Sequence, residues 1–530
     1  MGPDSSAGQG SAGRVTSRLA GLADRVAARE ADARSEYARL LERDTTLWPQ
    51  ASESSGSWLG WLASLDRADA HLARIRPLVA QLLAEGITDV VLVGMGGSSL
   101  FPMVLDGVSG SALGHPRLHV LDSTDPAAVA RVEADVDWTC TVVVAASKSG
   151  TTVETRAHLD RFRSRLDGAI GQRAGERVVV VTDPGSALEE LARAAGFRAV
   201  VHGDADVGGR YSALSPFGLL PAVLLGLDVD RLLGNARDAA SRWVLDPWSA
   251  AGPALLATVL AVAAQHGRDA LHLLVPTEAG MFGSWVEQLV AESSGKDGVG
   301  VLPVVCTDVD DVIAHEHAVV VALGPAPGPV ALATLEVHGV PVLVVPWSGP
   351  DDVAAEALRW MQAVPLLCAQ LGVDPFDQPD VAAAKEATAQ ALASGMEPDT
   401  ARPLEQLHAA LDAAGFVALL GYVDPEGPDA VTLGSVAGAL ARRHGVPVTV
   451  GIGPRYLHST GQLHKGGRDD GMFLVVVGDD PEDVSIPGRD HGFARLKRAQ
   501  AAGDLVALRG AGRRAEHVTL DDLVRTVAAG

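Results

Sequence analysis

Residues 90–99 read VVLVGMGGSS and residues 141–152 read TVVVAASKSGTT. In each, a short aliphatic run empties into a loop of glycine, serine and threonine, and a helical pattern follows. Aliphatic runs of this length, bounded by turn residues, fit strands buried on both faces. Two more runs share the plan: 118–121, ending at Asp122-Ser123-Thr124-Asp125-Pro126, and 177–181, ending at Thr182-Asp183-Pro184. Strands alternating with helices predict a parallel sheet covered on both faces. The loops that leave the strands are where such open sheets take their ligands.

Working outward, residues 1–13 are rich in Gly and Ser and are expected to be disordered, whereas 14–85 read as helical, with 15–41 and 62–83 showing apolar positions at i, i+3, i+4 spacing. The first α/β unit is placed at 86–245. A second, at 246–400, has expected strands at 272–275, 318–323 and 341–345, helices at 283–293 and 353–371, and an Ala-rich helix at 381–393 that closes it. A third, at 401–530, has strands at 417–422, 447–452 and 472–477, with a helix at 435–443 between the first two. The first two units read as one supersecondary plan used twice. No repeat of fixed short period is present.

A chain of 530 residues has room for about three to four domains. Lys plus Arg number 43 and Asp plus Glu 66, a net charge of −23, with no run of basic residues. Nucleic acid and anionic membrane surfaces are therefore excluded as expected partners. A small anionic substrate is not, because backbone N–H groups at helix starts attract anions whatever the global charge. Cys140, Cys306 and Cys368 form no close pair. They read as buried small hydrophobes, with no disulfide framework and no zinc spacing. The opening MGPDSSAGQGSAGR lacks the apolar core of a signal peptide, and the best apolar stretch, 254–264, is too short to span a bilayer. The expected setting is the cytoplasm.

Ser98, Ser147, Ser149 and Thr152 lie on the two Gly-rich loops and form a candidate phosphate cradle. Glycine lets backbone approach a ligand closely, and hydroxyls add donors without charge. The plainer reading of either loop alone is helix capping. Neither loop matches the P-loop or the dinucleotide fingerprint, so ATP and NAD are not expected cofactors. Only five lysines occur, at 148, 296, 385, 465 and 497, against 38 arginines. In WVEQLVAESSGKDGVG, residues 285–300, Glu287 and Glu292 are five apart and do not share a helix face well. Glu292 falls at the helix end, where a carboxylate can project into a cleft. RYLHSTGQLHKGGR, residues 455–468, packs two His, one Lys and two Arg without Cys or carboxylate. That composition does not support a metal site and suits a histidine that moves protons.

Together these segments resemble the glucose-6-phosphate isomerase family, nearest its actinobacterial and transaldolase-fused branch. The carrying motifs are GMGGSS at 94–99, SKSGTTVET at 147–155, GGRYSALSPFG at 208–218, VEQLVAESSGK at 286–296, DPFDQPDVAAAK at 374–385 and LHSTGQLHKGG at 457–467. The resemblance implies two sugar isomerase (SIS) domains, each a doubly wound parallel sheet, joined here by the helical N-terminal segment and an additional C-terminal α/β unit. It implies that Gly97, Ser98, Ser147, Ser149 and Thr152 bind a sugar phosphate and that Gln288 and Gln378 contact the substrate. Glu292 is then the catalytic base, Arg210 the cation beside the developing enediolate, Lys385 the lysine near the ring oxygen and His458 the ring-opening histidine, with His464 the alternative. The implied reaction is reversible conversion of glucose 6-phosphate to fructose 6-phosphate with no metal or other cofactor, in a homodimer whose histidine comes across the subunits.

Three departures stand out. Asp380 and Ala382 occupy places where the family usually has Gly and Glu. The histidine follows the lysine in the chain instead of preceding it. Some 90 residues precede the first loop, too few for a transaldolase barrel. Competing readings are a dual phosphoglucose/phosphomannose isomerase, since C2 stereochemistry depends on pocket detail, and a non-catalytic sugar-phosphate sensor. The sensor has no use for Glu292, Lys385 and Arg210 together.

Overall fold

The computed structural model describes residues 18–51, 53–249, 252–312, 315–325 and 327–528. The expectation for residues 1–13 lies outside them. Three all-parallel sheets are present. The first comprises β1 (Asp89–Val93), β2 (Arg117–Leu121), β3 (Thr141–Ala146), β4 (Val178–Thr182) and β5 (Ala199–His202), in the order β2-β1-β3-β4-β5. The second comprises β6 (Ala270–Leu274), β7 (Leu302–Cys306), β8 (Ala318–Leu323) and β9 (Val342–Val345), in the order β7-β6-β8-β9. The third comprises β10 (Phe416–Tyr422), β11 (Val448–Ile452), β12 (Gly471–Val477) and β13 (Arg514–His517), in the order β11-β10-β12-β13.

The plan expected twice thus occurs three times: in each sheet the first strand pairs with the second on one side and the third on the other. That juxtaposition is a topological switch point, and it opens a crevice at the strands' C-terminal ends. The expected strands form within a residue or two of their predicted positions. Three strands are additions, β5, β7 and β13, and each is a sheet edge. An edge strand has one neighbour and partial cover, so its residues need not form a buried aliphatic run. β5 is half-buried throughout, β7 contains Pro303, and β13 reads RAEH.

The described part of the N-terminal segment is helical, with Ala23–Ala28 and Glu30–Leu41 separated at Arg29. Helix Ser64–Ala84 buries Ala68, Leu72, Ile75, Val79 and Leu82, a stripe at helical spacing. These residues join one core with β1, helix Leu100–Ser109, helix Pro253–Gln265 and helix Val353–Leu371. Each large aliphatic side chain buried there contributes roughly 1.5–3 kcal/mol.

The third unit is fastened to the first. Phe493 and Leu496, at the start of helix Phe493–Gly510, enter the core on one face of the first sheet. The Phe493 ring stacks on His158 at 5.2 Å between centroids. Helix Pro379–Ser394, expected to close the second unit, lies instead along Phe493–Gly510, with Ala391 against Ala499 and Ala502. The approach is close enough that a Cβ on Gly503 would sit 2.6 Å from the Thr388 nitrogen. No helix among the described residues is long and apolar enough to cross a membrane.

Candidate active site

A cavity of about 260 Å³ opens at the switch point of the first sheet, and its lining contains Gly97, Ser98, Ser147, Ser149, Thr152, Arg210, Gln288, Glu292, Gln378, Lys385 and His458. These are the residues singled out from sequence, contributed by all three units of one chain. No second subunit is needed to bring His458 to the cavity. His464 does not line it. That side chain is buried between Phe473 and Tyr456, and burial, with the Lys465 ammonium acting in the same direction, pushes its imidazole down to about 3.

The Gly-rich loops form the floor. After β1 the chain makes a tight turn at Gly96–Ser98 and enters helix Leu100–Ser109. Gly97 packs against the loop after β5 so closely that a Cβ would lie 1.9 Å from the Gly209 carbonyl oxygen. After β3, the Gly150 N–H donates to Ser147 Oγ (3.1 Å), and the Ser147 and Thr152 hydroxyls are 3.0 Å apart. Gly150 has φ +72°, and a Cβ there would collide with Leu188, so only glycine fits. Thr152 precedes helix Val153–Ile170 without capping it through its side chain. The first-turn N–H groups of that helix therefore lack this partner and suit an anion. Lys148 is on the same loop, but its ammonium is paired with Asp183 at 2.5 Å.

Facing this floor is helix Gly280–Ser294, which carries Gln288 and Glu292. Arg210 Nη1 lies 3.1 Å from Glu292 Oε1. The guanidinium is immobilised by further bonds: Nε donates to Ser293 Oγ (2.9 Å), and Nη2 to the Pro375 and Asp377 carbonyls (2.5 and 3.3 Å). Gln288 Nε2 donates to Glu292 Oε2 (3.0 Å) and to the His458 carbonyl (2.8 Å). Glu292 is thus gripped on both oxygens. Glu287, one turn earlier, lines a different cleft with Ser284 and Arg442.

His458 Nε2 lies 3.2 Å from Glu154 Oε1, which also accepts from Gln500 Nε2 (2.7 Å). Burial works against the Glu154 charge, yet the imidazole beside it holds the carboxyl below its ordinary range. An ionised carboxylate only accepts, so His458 Nε2 is the donor in this contact. The turn Arg455–His458 is pinned to the end of β2 by a bidentate Arg455–Asp122 pair, both bonds 2.8 Å. Glu154 was not assigned from sequence, although it lies within SKSGTTVET. Its signal is an anomaly: an acid in the first helical turn beside an anion cradle would repel the anion unless a cation or histidine engaged it. Trp58, Tyr211 and Phe376, which also line the cavity, carry no such signal.

Lys385 is exposed at the rim on helix Pro379–Ser394, and Gln378 caps that helix. Asp380, in place of the family's glycine, accepts from Gln462 Nε2 at 2.7 Å. Among the described residues no cluster of three or more His, Cys, Asp or Glu is placed to hold a metal ion.

Doubly wound parallel sheets with a hydroxyl-rich loop pair at the switch point, facing a helix-borne carboxylate–guanidinium pair, define an α/β protein with a candidate active site in its first sheet's crevice. Residues 75–306 match the model of the phosphoglucose isomerase family. The chain is 34% identical over 250 residues to a glucose-6-phosphate isomerase of Rubrobacter xylanophilus, covering 45% of this chain and 57% of that protein. It is 34% identical over 268 residues to the one of Thermus thermophilus, covering 50% and 62%. The chain thus spans less than two thirds of the length of these relatives. Among solved structures, a hypothetical protein of Thermus thermophilus matches with TM-score 0.56 and 28% identity, over 71% of this chain and all of that one. A glucose-6-phosphate isomerase of Chlamydia trachomatis matches in fold with TM-score 0.53 and 21% identity, over 66% and 78%.

Proposed function

We propose that this protein interconverts glucose 6-phosphate and fructose 6-phosphate through a cis-enediol. The observation that carries the reading is the Glu292 carboxylate, held on one oxygen by Arg210 and on the other by Gln288, across a cavity from two anion-receiving loops. The phosphate rests on Gly97, Ser98, Ser147, Ser149 and Thr152, and its binding energy positions the reacting carbons. His458, aligned by Glu154, opens the ring together with Lys385 by moving protons between the C1 hydroxyl and the ring oxygen.

Glu292 then takes the proton from C2. The C2–H electron pair forms the C1–C2 double bond, and the carbonyl electrons move to O1, where a proton completes the cis-enediol. Return of the proton to C1, with the double bond collapsing to a C2 carbonyl, gives the ketose. One carboxylate serves both carbons because they share a face of the intermediate. Arg210 stabilises the charge growing on oxygen, and Gln288 and Gln378 orient the sugar hydroxyls. A homodimer and a cytoplasmic setting belong to the same reading.

The test is fructose 6-phosphate conversion by purified protein, followed through a coupled dehydrogenase, for wild type and Glu292→Gln. Wild-type turnover is expected, with a loss of roughly 10³-fold or more in the variant at unchanged circular dichroism. A folded variant of near-normal rate, or an inert wild type, overturns the proposal.

A further inference from the structure

The cavity residues sit on three separate supports, and one side chain outside the cavity ties those supports together. Gln462 lies four residues after His458, in the short helix Gly461–Gly466, and is 1% exposed. Its Nε2 donates to the carbonyl of Gly295 (3.0 Å), the cap of the helix that carries Glu292 three residues earlier. The same Nε2 donates to Asp380 Oδ2 (2.7 Å), and its Oε1 accepts the Asp380 backbone N–H (3.1 Å). Asp380 is in the first turn of helix Pro379–Ser394, five residues before Lys385. The amide thus makes three bonds, using both donor hydrogens and one acceptor lone pair.

The chain makes room for this clasp. A Cβ on Gly466 would stand 2.6 Å from Asp380 Oδ2, 2.7 Å from Gln462 Nε2 and 2.7 Å from the Gly295 oxygen. All three members of the clasp therefore meet over a bare glycine. Asp380 itself suits its place, since an acid in a first helical turn meets the positive end of the helix dipole. The family's usual glycine would offer Gln462 only its backbone N–H.

We infer that Gln462 and Asp380 are positioning residues that hold the Lys385 helix in register with the Glu292 helix and the His458 turn. The inference rests on the isomerase reading of the cavity. It explains why replacing the family's glycine by Asp380 accompanies a retained lysine: the carboxylate supplies a second anchor for its helix. Neither residue touches the cavity, so their loss should alter geometry at Lys385 and leave the phosphate loops as they are.

The experiment pairs Gln462→Glu with the double variant Gln462→Glu/Asp380→Asn, each measured by amide hydrogen exchange and by kinetics on glucose 6-phosphate. Gln462→Glu sets two carboxylates against each other. Exchange across 379–388 should rise about tenfold with the helix Leu100–Ser109 unchanged, and kcat should fall about 10²-fold with KM within about threefold. In the double variant the side-chain amide introduced at position 380 donates to the carboxylate introduced at position 462, and at least half of the lost protection and rate should return. Unchanged exchange in Gln462→Glu overturns the clasp, as does a loss that the double variant does not rescue. Should Gln462→Glu not fold, Asp380→Gly, which removes one of the three bonds, must still raise exchange across 379–388. An inert wild type would overturn the isomerase reading, whereas the exchange result judges the clasp in either case.

Discussion

The first and third sheets share the order second-first-third-fourth, with β5 added at the edge of the first, and each opens a crevice above its adjacent first and third strands. The crevices have opposite fates. In the first sheet the loops after β1 and β3 carry Gly96, Gly97, Ser98, Ser147, Ser149 and Thr152, and the space stays open as a cavity. In the third, the loops after β10 and β12 carry Asp424, Glu426 and Asp480. Arg131, from the first unit, pairs with Asp424 and Glu426, each at 2.8 Å. Lys497 pairs with Asp480 at 2.5 Å and with Asp125, at the end of the first sheet's β2 loop, at 2.8 Å. One crevice stays open as a cavity, which the proposed function fills with a sugar phosphate, and the other is a joint closed by ion pairs. Topology supplies the opening, and loop chemistry decides its use.

The sharpest way to break this contrast is Gly97→Ala. The added methyl would meet the Gly209 carbonyl at 1.9 Å, backbone against backbone, and must push apart two loops of the cavity floor. Turnover is expected to fall at least ~10²-fold, with loss of the thermal shift on adding fructose 6-phosphate. A variant that still binds and turns over would show that the floor does not hold the anion.

Next is Lys497→Met at the joint. The lysine is fully buried, and its removal leaves the Asp125 carboxylate without its cation and Asp480 with only the Arg498 guanidinium at 3.5 Å. Breaking a buried pair in this way costs about 3–5 kcal/mol, to be read from denaturant unfolding. The rate per folded molecule should stay near wild type, because Lys497 does not line the cavity. A loss below about 1 kcal/mol would show that apolar packing alone holds the joint.

The smallest effect concerns pH. His464 is buried neutral, with its affinity for a proton pushed down from 6.5 to about 3. Between those values the unfolded chain binds the proton and the folded chain does not. Stability is therefore full above pH 6.5 and is lost as pH falls, by about 2 kcal/mol at pH 5. His464→Phe, which keeps the aromatic contacts with Tyr456 and Phe473, should flatten unfolding midpoints between pH 7 and 5. An identical pH slope in the variant would assign the loss to other groups, of which buried His272, pushed down to about 3, is the foremost.

Both the open crevice and most of its residues were legible in the chain because they lie where short-range patterns are strongest. β1 and β3 are central strands, aliphatic on both faces, and their loops announce themselves by glycine and hydroxyl density. Glu292 was legible through its place at a helix end. The edge strands β5, β7 and β13 were not, because half-covered strands need no aliphatic run. Glu154 and Gln500 were not, because their role exists only once the third unit docks against the first. Helix Pro379–Ser394 was assigned to the second unit by order in the chain, but its alanines match the alanines of Phe493–Gly510, a pairing between segments about 110 residues apart.

The scarcity of lysine has a practical side. Lys296, Lys465 and Lys497 are buried and engaged in ion pairs. That leaves two side-chain amines with any access to solvent, Lys148 and Lys385, and both line the same cavity. An acylating reagent used at random on most proteins would here be an affinity label without a ligand attached. Mass-spectrometric readout of those two positions would report whether the cavity is occupied, with the arginine-built surface remaining silent.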